Sequence, residues 1–281
     1  SMPFTSLSPF DLSCQNDNNQ VSGMLISNRG RTIWSDSPFK FSVDGQGIHI
    51  DSRYEKVGVK QQGTTLRDAY RALMQQHFPA EGALPDTLFF SHPQYNTWIE
   101  LMYNQNQHDI LTYARHLLDN GLPPGILMID DNWQRYYGNF DFKCERFPNP
   151  RAMVDSLHRQ GFKVMLWISP FVTADSPEYR ALAKQGLLLR DATGNPAIIH
   201  WWNGQSACFD LTNPAALDYL EHTLRSMMHD YGIDGFKFDG GDNIYYDRAD
   251  LRPYRKDARS VDQTKGWAEL GCRFAFNEYR A

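Results

Sequence analysis

From about Tyr95 onward the chain repeats one pattern: a short, nearly unbroken apolar run, one or two polar residues, then an amphipathic helix. Ile126-Leu127-Met128-Ile129, Val164-Met165-Leu166-Trp167-Ile168 and Ile233-Asp234-Gly235-Phe236-Lys237-Phe238 read as strands, and Thr97-Trp98-Ile99-Glu100-Leu101 is predicted as the first of the set. Between them, Ile110, Leu111, Ala114, Leu117 and Leu118 share one helical face, which Asn120-Gly121 stops. Asn149-Pro150 and Asn213-Pro214 each supply an N-cap and a first-turn proline, for helices ending at Gly161 and near Gly232. The last stretch, about 260–279, is predicted to be helical, with Trp267, Leu270 and Phe274 on one face and Asn277-Glu278 near its end. Strands apolar on both faces need cover on both, so this order specifies a parallel sheet sheathed by helices.

Two architectures fit: a doubly wound sheet and a (β/α) barrel. No glycine-rich phosphate loop follows any of the strands, which weakens the nucleotide-binding version. The strand ends favour the barrel, because loops there converge on one mouth. The first predicted strand carries Glu100 and leads to Tyr103-Asn104; the second leads to Asp130-Asp131-Asn132-Trp133. The third carries Trp167 and leads to Ser169-Pro170; the fourth carries Lys237 and leads to Asp239-Gly240-Gly241-Asp242.

Each of these groups also has a plain reading. Asp130-Asp131 fits a helix cap or a turn, and Asp239 before Gly-Gly fits turn chemistry. Lys237 stands two residues before Asp239 and shares its strand face, and a charge inside an apolar strand needs a partner. That partner gives a structural ion pair or, functionally, one that holds a nucleophile ionised. Adjacent tryptophans such as Trp201-Trp202 are usually core, but these stand in the polar stretch 200–206, where one is expected to face a ligand.

Residues before about Asp51 have a different texture. Met24-Leu25-Ile26, Thr32-Ile33-Trp34, Phe39–Val43 and Gly47-Ile48-His49-Ile50 are short runs split by Asn28-Arg29-Gly30 and Asp44-Gly45, the pattern of antiparallel hairpins. A helix is predicted over about 65–78. The chain therefore divides into a β-rich region with one helix, 1–94, and a βα region, 95–281.

A net charge of −5 leaves no basic footprint for nucleic acid. No apolar run nears the roughly 18 residues of a membrane span. Ser1-Met2 reads as a remnant of tag removal with no signal peptide behind it, so the compartment is left open. Cys14, Cys144, Cys208 and Cys272 lack metal-ligand spacing and are expected to be buried free thiols.

The second region resembles glycoside hydrolase family 31, the α-glucosidase and α-galactosidase family, in the branch of the myogenesis-regulating glycosidase. The blocks that carry the resemblance occur in order: Ile129-Asp130-Asp131-Asn132-Trp133, Arg146-Phe147-Pro148-Asn149-Pro150, Gly161-Phe162-Lys163-Val164, Leu166-Trp167-Ile168-Ser169-Pro170-Phe171, Trp201-Trp202-Asn203-Gly204, Asp210-Leu211-Thr212-Asn213-Pro214 and Gly235-Phe236-Lys237-Phe238-Asp239. The resemblance implies a (β/α)8 barrel and a retaining α-glycosidase, free of metal and cofactor, that takes the non-reducing-end glucosyl or galactosyl unit of an oligosaccharide or glycoside. It makes Asp239 the nucleophile and places Asp130, Trp167 and Lys237 around the sugar, with Asp131 and Trp202 in the same shell. Trp133 and Asp242, at the same strand ends, are counted with the pocket.

Retaining hydrolysis needs a second carboxyl about 5–5.5 Å from the nucleophile to protonate the leaving oxygen. The family's acid lies further along the barrel than this chain reaches. About four of the eight βα units are recognisable, so half a barrel is expected, with the acid outside it; nothing marks Asp242 or Asp247 for that role. Two other readings stay open, as does a homo-oligomer. One is a divalent-metal enzyme using Asp130, Asp239 and Asp242 as ligands. The other is a half-barrel that binds sugar without turnover.

Overall fold

The computed structural model describes residues 7–12, 22–53, 55–80, 82 and 84–280. Ser1, Met2 and Cys14 lie outside them. The chain forms two compact units, Ser1–Ala83 and Leu84–Ala281.

The first unit holds two antiparallel sheets of three strands. One pairs Leu7–Asp11, Lys40–Asp44 and Gly47–Asp51; the other pairs Met24–Ile26, Arg31–Trp34 and Gly58–Gln61. The predicted hairpins form, with Gly58–Gln61 as an added partner. Leu12, Ile33, Phe39 and Phe41 make a small core. The predicted helix spans Leu66–His77; Thr65 and Asp68 close its start with reciprocal bonds.

The second unit is built on five parallel strands, β1 (Gln94–Asn96), β2 (Ile126–Ile129), β3 (Lys163–Ile168), β4 (Gly235–Phe238) and β5 (Phe276–Tyr279), hydrogen-bonded in sequence order. Helices α1 (Gln107–Asp119), α2 (Pro150–Arg159), α3 (Pro214–Tyr231) and α4 (Ser260–Gly271) alternate with them. Asn149 and Asn213 cap α2 and α3 as predicted, each with proline in the first turn. The outward faces of the strands pack on the helices through Leu127, Ile129, Val164, Leu166, Phe236 and Phe238. On the inward face Ile126, Met128 and Met165 form a separate apolar layer, with Leu88, Phe89 and Phe276 packed against it. Leu88 and Phe89 thus join the barrel side, so the expected boundary at 94/95 falls inside the second unit. Between β3 and α3 stands a small antiparallel sheet, whose Ile199–Trp201 and Gly204–Cys208 strands carry the Trp-Trp-Asn-Gly turn at their tip.

Two predicted elements differ. Thr97–Leu101 is not a strand: β1 precedes it, and Trp98–Leu101 is one helical turn. The Asn96 side chain accepts the Trp98 N–H at 2.7 Å and turns the chain, leaving Ile99 86% exposed. Glu100 therefore sits on no strand. The final stretch is not one helix either. α4 stops at Gly271, where a Cβ would come within 2.5 Å of the Tyr279 ring, and the chain returns as β5. Of the cysteines expected to be buried, Cys208 is; Cys144 and Cys272 are exposed.

Candidate active site

Side chains alternate across a strand, so residues two apart share a face. On β4 that puts Gly235, Lys237 and, just past the strand, Asp239 on the inward face. Trp167 is in register with Lys237, and Lys237 with Glu278. Asp130 directly follows β2, and Asn96 ends β1. The inward face is thus apolar in its lower layer and densely polar at the C-terminal strand ends.

Asp239 is 5% exposed. Its Oδ2 accepts the indole N–H of Trp167 at 2.7 Å, and its Oδ1 accepts the Gly240 N–H at 2.9 Å, with Arg280 Nη1 at 3.4 Å. Gly240 turns the chain here at φ 74°, where a Cβ would stand 3.1 Å from the Phe171 ring. Lys237 does not bond Asp239, as its spacing suggested. Its ammonium is 3.0 Å from Oδ2 of Asp130, which also accepts from Asn96 at 2.7 Å. The cross-strand carboxylate is the better placed, and Lys237 acts on Asp239 only through space. Burial is the largest single influence and works against the lysine charge, but Asp130, Asp239 and Glu278 together overcome it and raise the Lys237 pKa.

The other expected site residues divide between the pocket and its support. Asp131 is buried, its carboxylate accepting Tyr137 Oη at 3.0 Å and Asn203 Nδ2 at 2.8 Å. It therefore ties the Trp-Trp-Asn-Gly turn to the end of β2. Burial pushes its carboxyl up to about 6, against the pull of those two donors. Asn132 follows at φ 77°, held by Lys143 and by the Tyr103 carbonyl. Trp133, expected at the sugar, is fully buried against Phe142 and donates its indole N–H to the Trp167 carbonyl at 2.8 Å; it supports Trp167 from behind. Trp201 is core, stacked on Phe171 at 4.1 Å, whereas Trp202 is 37% exposed, with the Arg280 guanidinium 4.9 Å from its ring centre. Asp242 is buried with no hydrogen bond to Oδ2; burial raises its pKa and Asp239 adds to that, while Arg280 opposes.

Three residues escaped the sequence reading: Asn96, Glu278 and Arg280. Asn96 lay outside the predicted first strand, Glu278 near the end of a segment read as helix, and Arg280 just beyond that segment. Among the described residues no cluster of three or more His, Cys, Asp or Glu could hold a metal ion, so Asp130, Asp239 and Asp242 do not converge as ligands. No helix among them is long and apolar enough to cross a membrane.

Parallel strands in sequence order, alternating helices and a charged row at the C-terminal strand ends define half of a (β/α) barrel with a candidate site at its mouth. The profile of the glycosyl hydrolases family 31 TIM-barrel domain matches residues 82–270, and the chain belongs to that family. The myogenesis-regulating glycosidase of Mus musculus is 31% identical over 194 residues, covering 69% of this chain and 27% of the relative. The α-xylosidase of Lactiplantibacillus pentosus is 22% identical over 236 residues, 74% of this chain and 29% of its own. Among solved structures, the family 31 dextranase of Flavobacterium johnsoniae complexed with glucose superposes with a TM-score of 0.75 at 16% identity, over 98% of this chain and 37% of the dextranase. A family 31 α-xylosidase from a soil metagenome, complexed with xylose, gives 0.72 at 20% identity, over 98% and 42%. The chain thus spans under half of each of these proteins.

Proposed function

We propose that this chain carries the nucleophile and sugar-binding half of a retaining α-glycosidase, with Asp239 as the nucleophile. The observation that carries the reading is the setting of the Asp239 carboxylate: buried at a strand end, with donors from Trp167, Gly240 and Arg280 on its oxygens. One carboxylate oxygen attacks the anomeric carbon as the bond to the leaving oxygen breaks; a proton from an acid group goes to that oxygen. Water then cleaves the glycosyl ester, releasing the sugar with retained configuration and restoring the carboxylate. None of the described residues is assigned as the acid.

Asp130, Lys237 and Trp167 line the sugar-holding pocket, and Trp202 offers a partly open ring at its edge. Asp131 and Trp133 position them, and Asp242 stands beside the nucleophile. The substrate is a neutral α-linked glycoside, glucosyl or galactosyl; relatives named for xylosides add the pentose series.

The test is covalent labelling with 5-fluoro-α-glucosyl and 5-fluoro-α-galactosyl fluorides, followed by peptide mass spectrometry. Fluoride departs with little help from an acid, so the reagent reads the nucleophile alone. An adduct on Asp239, absent in Asp239→Asn, is expected. A folded full-length protein that turns over α-glycosides yet labels elsewhere removes Asp239 from the role. Sugar binding without any labelling would favour the non-catalytic half-barrel.

A further inference from the structure

Glu278 reaches the inward face of the sheet on β5, in register with Lys237. Phe276 and Arg280 flank it on the same face. Arg280 approaches Asp239 at 3.4 Å, so Glu278 lies one inward layer deeper than the reacting end, roughly 6–7 Å along the strand. The layer beneath is closed by Met128, Met165 and Phe276. The carboxylate therefore stands above an apolar floor, about one pyranose ring from the nucleophile.

Lys237 is the obvious partner for it, but the lysine bonds Asp130 at 3.0 Å. Among the described residues the Glu278 carboxylate feels Lys237, Asp130 and Asp239 electrostatically, and no donor is bonded to it. Asp130, by contrast, is held by both Lys237 and Asn96. The Glu278 oxygens are not among the sealed, unpartnered polar atoms, so they stay accessible, and the hydroxyls of a bound sugar are donors of the right kind to reach them.

We propose that Glu278 is a sugar-recognition residue that accepts a hydroxyl at the end of the ring remote from the anomeric carbon. It thereby selects which sugar enters. The assignment rests on the glycosidase reading above. The plainer role is a counter-charge for Lys237, and the two roles make different predictions.

The experiment uses the full-length protein and 4-nitrophenyl α-glycosides of whichever series, gluco or galacto, is cleaved faster, with the 3-, 4- and 6-deoxy analogues. In Glu278→Leu, kcat/KM on the parent glycoside should fall about 10–100-fold, the worth of one hydrogen bond to a charged group. On one deoxy analogue, already slow with the wild type, the same substitution should cost less than about threefold, because the coupled group is gone. Glu278→Gln keeps an acceptor and should show the same dependence with a smaller loss, which also covers misfolding of the leucine variant. An equal loss on the parent and on all three analogues overturns the assignment and leaves the glycosidase reading standing. A wild type that cleaves none of these compounds and is not labelled at Asp239 overturns both.

Discussion

The indole N–H of Trp167 meets Oδ2 of Asp239 at 2.7 Å, linking the third and fourth parallel strands at the mouth of the sheet. Trp167 is itself immobilised: its carbonyl accepts from the buried Trp133, and Tyr137 packs edge-on to its ring at 6.0 Å. The bond therefore fixes the direction of one lone pair on Oδ2, while Gly240 and Arg280 hold Oδ1. Replacing Trp167 by Phe keeps most of the ring and removes the donor. A hydrogen bond to a charged group is worth about 1.5–3 kcal/mol, so the rate of labelling by the 5-fluoroglycosyl fluorides should fall about 10–100-fold. The far-ultraviolet circular dichroism should be unchanged. An unaltered labelling rate would show that the indole does not aim the nucleophile.

Lys237 and Asp130 form a buried pair, their side chains 16% and 6% exposed. Taking away one member leaves the other charge without its partner, which typically costs about 3–5 kcal/mol. Lys237→Met should lower stability by that order in urea unfolding. Lys237→Met combined with Asp130→Asn should recover a large part of the loss, since neither charge then remains. If the double substitution is as unstable as the sum of the singles, the two residues do not act as a pair.

Much of this site was legible because barrel chemistry announces itself at strand ends. Asp130 and Asp239 follow apolar runs, Trp167 and Lys237 stand inside them near their ends, and the runs themselves are strongly patterned. What stayed hidden depended on contacts between distant segments. Lys237 and Asp239 are two residues apart, so spacing alone favoured their pairing, whereas the chosen partner comes from another strand. Trp133 looks like a pocket residue from its neighbours Asp130 and Asp131, but the turn at Asn132 sends it into the core behind Trp167. The strand Phe276–Tyr279 alternates inward Phe276 and Glu278 with outward Asn277 and Tyr279, a pattern too polar to stand out next to a good helix. With that strand misread, Glu278 and Arg280 had no face to belong to. Asn96 suffered the same fate, because Gln94–Asn96 contains a single apolar residue.

Gly235 stands opposite Phe276 with no room for a side chain between the fourth and fifth strands. A Cβ on it would lie 2.0 Å from the Phe276 carbonyl oxygen and 2.4 Å from the Phe276 Cβ, and neither backbone can yield without losing ladder bonds. Gly235→Ala should destabilise the protein by about 1–3 kcal/mol, the usual cost of overpacking a filled site. Thermal unfolding of the full-length protein gives the measurement. A melting temperature equal to that of the wild type would mean that the two strands are further apart than 2.0 Å implies.

Asp131 makes stability depend on pH in a direction opposite to that of most carboxylates. Burial raises its pKa in the folded chain to about 6, from 3.8, and the donors Tyr137 and Asn203 only partly offset this. A carboxyl raised on folding binds its proton more tightly in the native state. Between about pH 4 and 6 the native state therefore holds more protons than the unfolded state, and the contribution of Asp131 to stability falls as pH rises through that window. Above about pH 6 the loss is complete and constant. Asp131→Asn removes the ionisation and leaves an amide oxygen that can accept from both Tyr137 and Asn203. The variant should thus gain on the wild type from pH 4 to 6 and keep a lead on the order of 2 kcal/mol at pH 7, after allowance for weaker bonds to a neutral acceptor. Urea midpoints for both proteins at half-unit steps from pH 4 to 8 measure the difference. A gap that is flat across this range, or that closes as pH rises, would show that the bonds from Tyr137 and Asn203 outweigh burial and that Asp131 is charged at no net cost.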